Sequence, residues 1–279
     1  MTSVPPLIAV LVLGAALLHA TWNAMLRSGS DRLWSIAVMC AIGAIAAVPL
    51  TFLVPAPNVA SWPYIALSTT LQIGYCLFLV RAYRDGLLSQ VYPIARGAAP
   101  LLVALGAAAV AGEHLSGRAI AGLALVSAGI MGLSLWRDRP DARSTAAALI
   151  CGALIAAYMV TDGVGVRLAG QPTAYVVWMS IAQGAPMPFV YLIVRRRFPP
   201  IRLDRELAKS VGGGLISLVA YGIVVWAMSS TDMAKVSGLR ETSILFAAVL
   251  GALFLKERLT LMRGACAVII TTGAILLAG

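Results

Sequence analysis

Charged residues are scarce in this sequence. Asp, Glu, Lys and Arg make up only 11% of the 279 residues, less than half of the roughly 25% that is usual for a soluble domain. Hydrophobic residues make up 60%, and the mean hydropathy is +0.91. So few polar groups cannot cover the surface of a water-soluble globule. The composition therefore excludes a soluble enzyme, a disordered chain and a disulfide scaffold, and it predicts an integral membrane protein.

Groups that bind metals or phosphates are also few. The four cysteines lie in apolar runs with no CxxC pair, and the two histidines are far apart in the chain. No glycine-rich phosphate-binding loop is present. We therefore expect no cofactor, no metal and no direct drive by ATP. The net charge of +10 reflects the small number of acidic residues more than a large number of basic ones. We therefore expect no nucleic-acid partner.

Apolar runs of about 20 residues, the length that crosses a bilayer, fill most of the chain. The residues before the first run include no basic residue, so we interpret this run as a retained spanning helix rather than a signal peptide. The sequence predicts ten transmembrane helices at 7–26, 33–54, 63–82, 87–111, 117–136, 145–167, 173–194, 209–228, 233–255 and 261–278.

Lys and Arg are distributed unequally between the two sides. The loops after the odd-numbered helices hold 16 of the 21 basic residues, and the opposite side holds 3. Because cytoplasmic loops carry the excess of Lys and Arg, this distribution predicts a multi-pass protein of the inner (plasma) membrane with both termini outside the cytoplasm. Arg96 and Arg240 are the remaining two, and each falls within a predicted span.

The second half of the chain repeats the first. An odd number of helices in each half inserts the two halves in opposite orientations, which is typical of secondary transporters. We therefore predict an all-α membrane protein with two inverted five-helix repeats, residues 1–140 and 141–279. The matching pairs, at spacings of 145 and then 144, are Ala82–Ala227, Val91–Val236, Arg96–Arg240, Glu113–Glu257, Leu115–Leu259 and Gly129–Gly273.

The sequence resembles the EamA-like branch of the drug/metabolite transporter superfamily over essentially its whole length. The resemblance is carried by Gly112-Glu113 and Leu115 before a glycine-rich fifth helix, and by residues 255–259 before the tenth. Residues 19–23 and 239–243 are similar to a subgroup of which some members are associated with phosphonate utilisation. The family resemblance implies a proton- or gradient-coupled carrier, usually an exporter of amino acids or other metabolites.

The strongest candidate site is the pair Arg96 and Arg240. A charge inside the bilayer is costly, so such a residue is a functional hypothesis. The repeat predicts that both guanidinium groups face one central cavity, where they would bind a carboxylate or phosphonate. The alternative is a structural role with each Arg paired to a carboxylate or to carbonyl groups. Glu241 is predicted to pair with Arg96 or a helix-one group, as the coupling proton site or a fixed counter-ion. Asp162 is either an interfacial residue or a proton or cation site.

Other polar residues are predicted to line the same cavity. His19, Trp22 and Asn23 share one helical face, although such residues also serve simply as hydrogen-bond partners between helices. Tyr92 and then Tyr158 are the aromatic candidates, whereas most other tyrosines are interpreted as interfacial. Glu113 is expected to have a structural role, such as capping a helix or pairing with Arg118.

Three functions compete. The leading prediction is a secondary carrier, a proton-coupled exporter of amino acids or other carboxylate or zwitterionic metabolites. The alternatives are an uptake carrier for phosphonates or organic anions and a lipid-headgroup translocator. A membrane-embedded enzyme is disfavoured because clustered acids and histidines are lacking. We expect a small-molecule substrate, contact with the lipid bilayer, and a monomer or weak homodimer.

Overall fold

The protein folds into a bundle of helices. The computed structural model describes residues 3–27, 29, 31–84, 88–135, 142–197, 203–255 and 260–279. Over these residues the regular structure consists of short 3-10 turns at Val48–Phe52 and Val59–Ser61 and of α-helices, with no strand. The α-helices are α1 (Pro6–Arg27), α2 (Arg32–Ala47), α3 (Trp62–Arg84), α4 (Leu88–Ala111), α5 (Gly117–Leu135), α6 (Ala142–Leu168), α7 (Pro172–Gly184), α8 (Met187–Arg195), α9 (Arg205–Met228), α10 (Met233–Arg240), α11 (Ser243–Leu255) and α12 (Leu261–Ala278).

Local sequence explains where several helices begin. The Asp31 carboxylate accepts hydrogen bonds from the first-turn amides of α2. Asp204 caps α9 through the Leu207 amide, and Thr260 caps α12 through the Arg263 amide. Such side chains satisfy amide groups that have no partner within the helix. The apolar runs between the caps become helical because lipid offers the backbone no other hydrogen-bond partners.

Seven stretches of the described residues are long and apolar enough to cross a membrane, which makes the chain an all-α, multi-pass membrane protein. Ten crossings remain a prediction. The seven stretches are Pro6–Leu26, Arg32–Phe52, Pro93–Ala111, Thr145–Leu168, Pro172–Arg195, Arg205–Met228 and Leu261–Ala278.

Two predicted continuous helices are each broken into two. The segment 173–194 is divided into α7 and α8 at Pro186, which lacks an amide hydrogen to continue the helix. The segment 233–255 is divided into α10 and α11 at Glu241 and Thr242, where no proline is present. In α4, by contrast, Pro93 and Pro100 are accommodated within one continuous helix.

The helices pack in a pattern that joins the two halves of the chain. α4 and α3 pack along α6, α1 packs along α9, and α5 packs along α12. α2 lies between α7 and α9, and it approaches them closely at two glycines. A Cβ atom at Gly184 would overlap the Cys40 carbonyl oxygen, and one at Gly214 would overlap that of Met39. Small residues of this kind let membrane helices approach backbone to backbone.

Apolar side chains lie on the outside of the bundle and several charged ones lie inside. Phe52 is 87% exposed and Val268 67% exposed, as expected for surfaces that face lipid hydrocarbon. Arg96, Asp162, Arg240 and Glu241 are all buried, none more than 3% exposed. This arrangement places the ionisable groups that lie deepest in the bundle away from lipid.

Candidate functional site

A cavity of about 190 Å³ lies within the bundle. Its walls come from α1, α2, α3, α7, α9 and the start of α8, and Arg96, Tyr158 and Arg240 contribute from α4, α6 and α10. The α1 lining begins at His19, in the last part of that helix, and the α2 lining ends at Gly43. The cavity therefore extends from the two arginines towards the end of the bundle where α1 finishes and α2 starts, which we name the α1–α2 end.

Most of the residues proposed from the sequence to bind substrate are brought together at this cavity. Tyr92 belongs to α4, but its side chain lies outside the described residues. The other six line the cavity: His19, Trp22, Asn23, Arg96, Tyr158 and Arg240.

The helix-one trio has a defined arrangement. The rings of His19 and Trp22 meet edge to face, with their centroids 4.9 Å apart. The Asn23 amide nitrogen donates to the His19 carbonyl oxygen at 2.9 Å, so part of its hydrogen-bonding capacity is used within α1. The shared face that the i, i+3, i+4 spacing predicts is therefore present, and it faces the cavity.

The two buried arginines share one carboxylate. Arg96 Nε lies 2.8 Å from Glu241 Oε2, and Arg240 Nη2 lies 3.8 Å from Glu241 Oε1. Arg96 also donates from Nη2 to the Ser243 hydroxyl at 3.1 Å. Of the two predicted partners of Glu241, which were Arg96 and a helix-one group, Arg96 is in contact with it. Because the helix breaks directly after Arg240, Glu241 also comes within ion-pair distance of its own neighbour.

The predicted repeat offers a reason why two arginines have only one acid. Subtracting the spacing of 144 from position 241 gives position 97, which is a glycine. A Cβ at Gly97 would lie 2.7 Å from Met131 Cγ and 3.1 Å from the Ser127 carbonyl oxygen. A glutamate there would collide with α5, so the site is asymmetric in charge.

Asp162 is enclosed by the bundle. It is 0% exposed and accepts hydrogen bonds from Tyr175 at 3.0 Å and Tyr221 at 2.5 Å. The Ser68 hydroxyl also lies beside the carboxylate. Asp162 itself does not line the cavity, whereas Tyr221 does, so the buried carboxylate is separated from the cavity by one phenol.

Several residues that line the cavity were not predicted from the sequence. Tyr75 and Tyr221 were interpreted as interfacial aromatics, yet both line the cavity, and Tyr158 packs between them at centroid distances of 6.0 and 6.1 Å. Gln72 and Gln183 also line it. The signal that would have found these two is that each is an uncharged polar side chain inside an apolar helix.

Glu113 has a structural role, but with a different partner from Arg118. Its carboxylate pairs with Arg167 at 2.5 Å and accepts from the Met233 amide at 2.9 Å, at the start of α10. Arg167 also donates to the carbonyl groups of Met228 and Thr231. These contacts join the ends of α4, α6, α9 and α10 on the side opposite the α1–α2 end.

The cysteines are free thiols, and among the described residues no three His, Cys, Asp or Glu side chains are grouped as a metal site would need. Cys40 and Cys76 line the cavity, whereas Cys151 and Cys266 are buried elsewhere.

Comparisons with known proteins agree with this architecture. Residues 143–279 match the EamA-like transporter family, and no curated protein matches the chain. Among 29 matching chains of solved structures, one described only as a crystal structure of a protein has a TM-score of 0.80 and 18% identity. It covers 96% of this chain and 97% of its own length, and it is similar to this chain in fold alone. On the match of its second half, the chain belongs to the EamA-like transporter family, within the drug/metabolite transporter superfamily.

Proposed function

We propose that the protein is a secondary active carrier that exports small carboxylate or zwitterionic metabolites, such as amino acids, by alternating access. The observation that carries this proposal is the buried cluster of Arg96, Arg240 and Glu241 against the cavity. Two guanidinium groups and one carboxylate leave one positive charge in excess. A single anionic group of a substrate would neutralise that excess, which favours an anion or zwitterion over a purely cationic compound.

Arg240 is the better placed of the two arginines to bind the anion. Arg96 is already held by Glu241 at 2.8 Å and by Ser243 at 3.1 Å. Arg240 Nε and Nη2 are buried without a hydrogen-bond partner, and the residue lines the cavity. Buried donors of this kind are costly unless they are satisfied, so a carboxylate that binds to the guanidinium fork removes a penalty as well as forming a charged pair.

The rest of a zwitterion would be recognised by the aromatic and polar walls. Trp22 offers a ring face on which an ammonium group can rest, and Asn23, Gln72 and Gln183 offer amide groups. The phenol of Tyr158 lies beside Arg240, where it can donate to the same anionic group. The coupling proton would bind to one of the two buried carboxylates, Glu241 or Asp162.

The inverted-repeat architecture is part of the proposal, with ten crossings in two halves at 1–140 and 141–279. It is supported by the crossing of α5 and α12. A Cβ at Gly122 would lie 2.8 Å from the Gly273 carbonyl oxygen, and one at Gly129 would lie 3.2 Å from that of Cys266. Adding 144 to 122 gives 266, and subtracting 144 from 273 gives 129. The same contact therefore occurs twice, as a pseudo-two-fold axis requires.

The membrane orientation follows from the basic residues. We propose an inner-membrane protein with both termini outside the cytoplasm and with the α1–α2 end in the cytoplasm, acting as a monomer or weak homodimer. Single cysteines at Ser229 and Asp204, which flank α9, test this orientation in a cysteine-free variant. A membrane-impermeant maleimide applied to intact cells should label position 229 and not position 204. The reverse pattern would overturn the orientation and leave the carrier function unaffected.

Each of the two alternative functions, anion uptake and lipid-headgroup translocation, would need a particular structural feature. Uptake of phosphonates or organic anions would use the same arginine pair, because a guanidinium group binds phosphonate as well as carboxylate. A lipid-headgroup translocator would need a lateral opening between helices. The family match favours transport over a membrane-embedded enzyme.

Flux into proteoliposomes tests the proposal and separates the alternatives. The probes are radiolabelled L-glutamate, L-alanine, 2-aminoethylphosphonate and choline, each with and without a pH gradient. We expect flux of at least one carboxylate or phosphonate, and its loss in the Arg240→Gln variant. Flux of choline alone would overturn the arginine-based recognition. The matched control is Arg118→Gln, which changes an exposed arginine away from the cavity.

A further inference from the structure

We infer that Asp162 is the carboxylate that binds the coupling proton and that the phenol of Tyr221 passes the proton between Asp162 and the cavity. This inference rests on the proposed carrier function, and it decides between the two carboxylates that the proposal leaves open. It also assigns roles to Tyr221, Tyr175 and Ser68, none of which was singled out as a site residue in the sequence.

The surroundings of Glu241 make it a fixed counter-ion. Its carboxylate lies 2.8 Å from Arg96 and 3.8 Å from Arg240, and all three side chains are almost completely buried. Protonating Glu241 would leave two guanidinium charges together in a medium of low polarity with no opposite charge beside them. A group held in this way stays ionised, so it cannot bind and release a proton in each cycle.

The surroundings of Asp162 are neutral. The groups that face its carboxylate are the hydroxyl of Ser68 from α3, the phenol of Tyr175 from α7 and the phenol of Tyr221 from α9. α4 and α10 also pack on α6, and they meet this stretch through Val160 against Gly106 and through Gly163 against Met233.

The charged groups of those two helices are engaged elsewhere. Arg96 of α4 and Arg240 of α10 lie beside Glu241, and Lys235 of α10 pairs with Asp232 at 2.7 Å. On α6 itself, Arg167 pairs with Glu113. Asp162 therefore gains and loses a proton without leaving a neighbouring charge uncompensated, which is the property a proton carrier needs.

Tyr221 connects this carboxylate to the cavity. Its hydroxyl donates to Asp162 Oδ2 at 2.5 Å, while the same residue lines the cavity. A proton arriving from the cavity binds to the phenol oxygen as the phenol's own proton moves to Oδ2, so the tyrosine stays neutral and Asp162 becomes a carboxylic acid. Release reverses the two transfers. Tyr175, which donates to Oδ1 and does not line the cavity, fixes the orientation of the carboxylate.

Infrared difference spectroscopy of the reconstituted full chain tests this inference without any substrate. Lowering the pH protonates titratable carboxylates and produces the C=O stretching band of a carboxylic acid. We expect one such band from a buried group in the wild type, its loss in Asp162→Asn and its retention in Glu241→Gln. Tyr221→Phe should keep a band but shift its position and slow its appearance. Tyr191→Phe, which removes a phenol donating to Asp31 near the α1–α2 end, should change neither.

Two results would overturn the inference: a buried-carboxyl band that persists in Asp162→Asn, or one that disappears in Glu241→Gln. Loss of the band in Glu241→Gln counts only if that variant folds. If Asp162→Asn or Glu241→Gln fails to fold, Tyr221→Phe decides by itself, because a band identical to wild type in position and rate excludes the phenol as the relay. The spectra need no transported compound. A failure of all four flux probes would therefore remove the carrier proposal and leave this result to be judged separately.

Discussion

Arg96 and Glu241, which are 145 positions apart in the chain, form an ion pair of 2.8 Å in the interior of the bundle. Arg96 belongs to α4, in the first half, and Glu241 lies at the break between α10 and α11, in the second. The pair therefore joins the two halves of the chain at the inner end of the cavity. Arg240 lies on the other side of the same carboxylate, so one glutamate serves two arginines.

Removal of this glutamate should destabilise the protein strongly. Glu241→Met leaves two buried guanidinium groups without a counter-ion, and loss of one partner of a buried pair costs about 3–5 kcal/mol. We expect a large decrease in the melting temperature in detergent, measured by tryptophan fluorescence.

The double variant Arg96→Met with Glu241→Met is the control for that measurement. It retains the same single excess charge as the wild type, and Arg240 alone loses its counter-ion instead of both arginines. It should be more stable than Glu241→Met alone. Equal or lower stability of the double variant would show that the ion pair is not the source of the effect.

Arg240→Lys separates charge from geometry at the proposed anion site. Lysine keeps the positive charge but lacks the planar fork that binds a carboxylate through two hydrogen bonds. We expect the apparent affinity for a transported anion to decrease about 10- to 100-fold, with insertion and yield unchanged. Arg118→Lys, at an exposed position, should be indistinguishable from wild type, and an unaffected Arg240→Lys variant would argue against direct binding.

The native cysteines report on the cavity. Cys40 and Cys76 line it, whereas Cys151 is only 1% exposed and lies elsewhere. N-ethylmaleimide, which is small and crosses membranes, should modify Cys40 and Cys76 and leave Cys151 unmodified. Intact-protein mass spectrometry would count the adducts.

The variants Cys40→Ala and Cys76→Ala should each lose one adduct, and Cys151→Ala should lose none. Modification of Cys151 before the other two would contradict the position of the cavity.

Glu113 should hold together the end of the bundle opposite the α1–α2 end. Glu113→Ala removes both the ion pair with Arg167 and the acceptor of the Met233 amide. Because Arg167 is about a third exposed, solvent weakens the pair, and we expect a loss of about 1–2 kcal/mol. Hydrogen exchange should be faster at the start of α10.

Arg195→Gln is the matched comparison, since it removes an exposed ion pair of 3.4 Å with Asp31. That loss should have almost no effect on stability. Unchanged exchange in Glu113→Ala would show that the carboxylate does not hold α10.

The membrane class could be predicted from the long apolar runs. Most of the cavity residues could be predicted because polar and charged side chains are rare within such runs. A polar side chain in an apolar run indicates a functional position, because placing it in lipid is costly. This signal identifies Arg96, Arg240 and the His19–Trp22–Asn23 face. Tyr75 and Tyr221 were interpreted as interfacial although they line the cavity, because tyrosine is also common at the membrane interface. For these two residues, position in the chain does not reveal depth.

The apolar runs and the loop charges are sufficient to predict an all-α membrane protein, since they require no knowledge of packing. The resemblance to the drug/metabolite transporter superfamily comes from a different signal, the motifs at Gly112-Glu113 and at residues 255–259. The distribution of charges inside the bundle depends on tertiary packing. The break after Arg240 and the absence of a side chain at Gly97 place one carboxylate between two arginines. The packing of α3, α7 and α9 around α6 gives Asp162 neutral hydroxyl partners. Both outcomes depend on distances between helices that are far apart in sequence, and no local pattern encodes those distances.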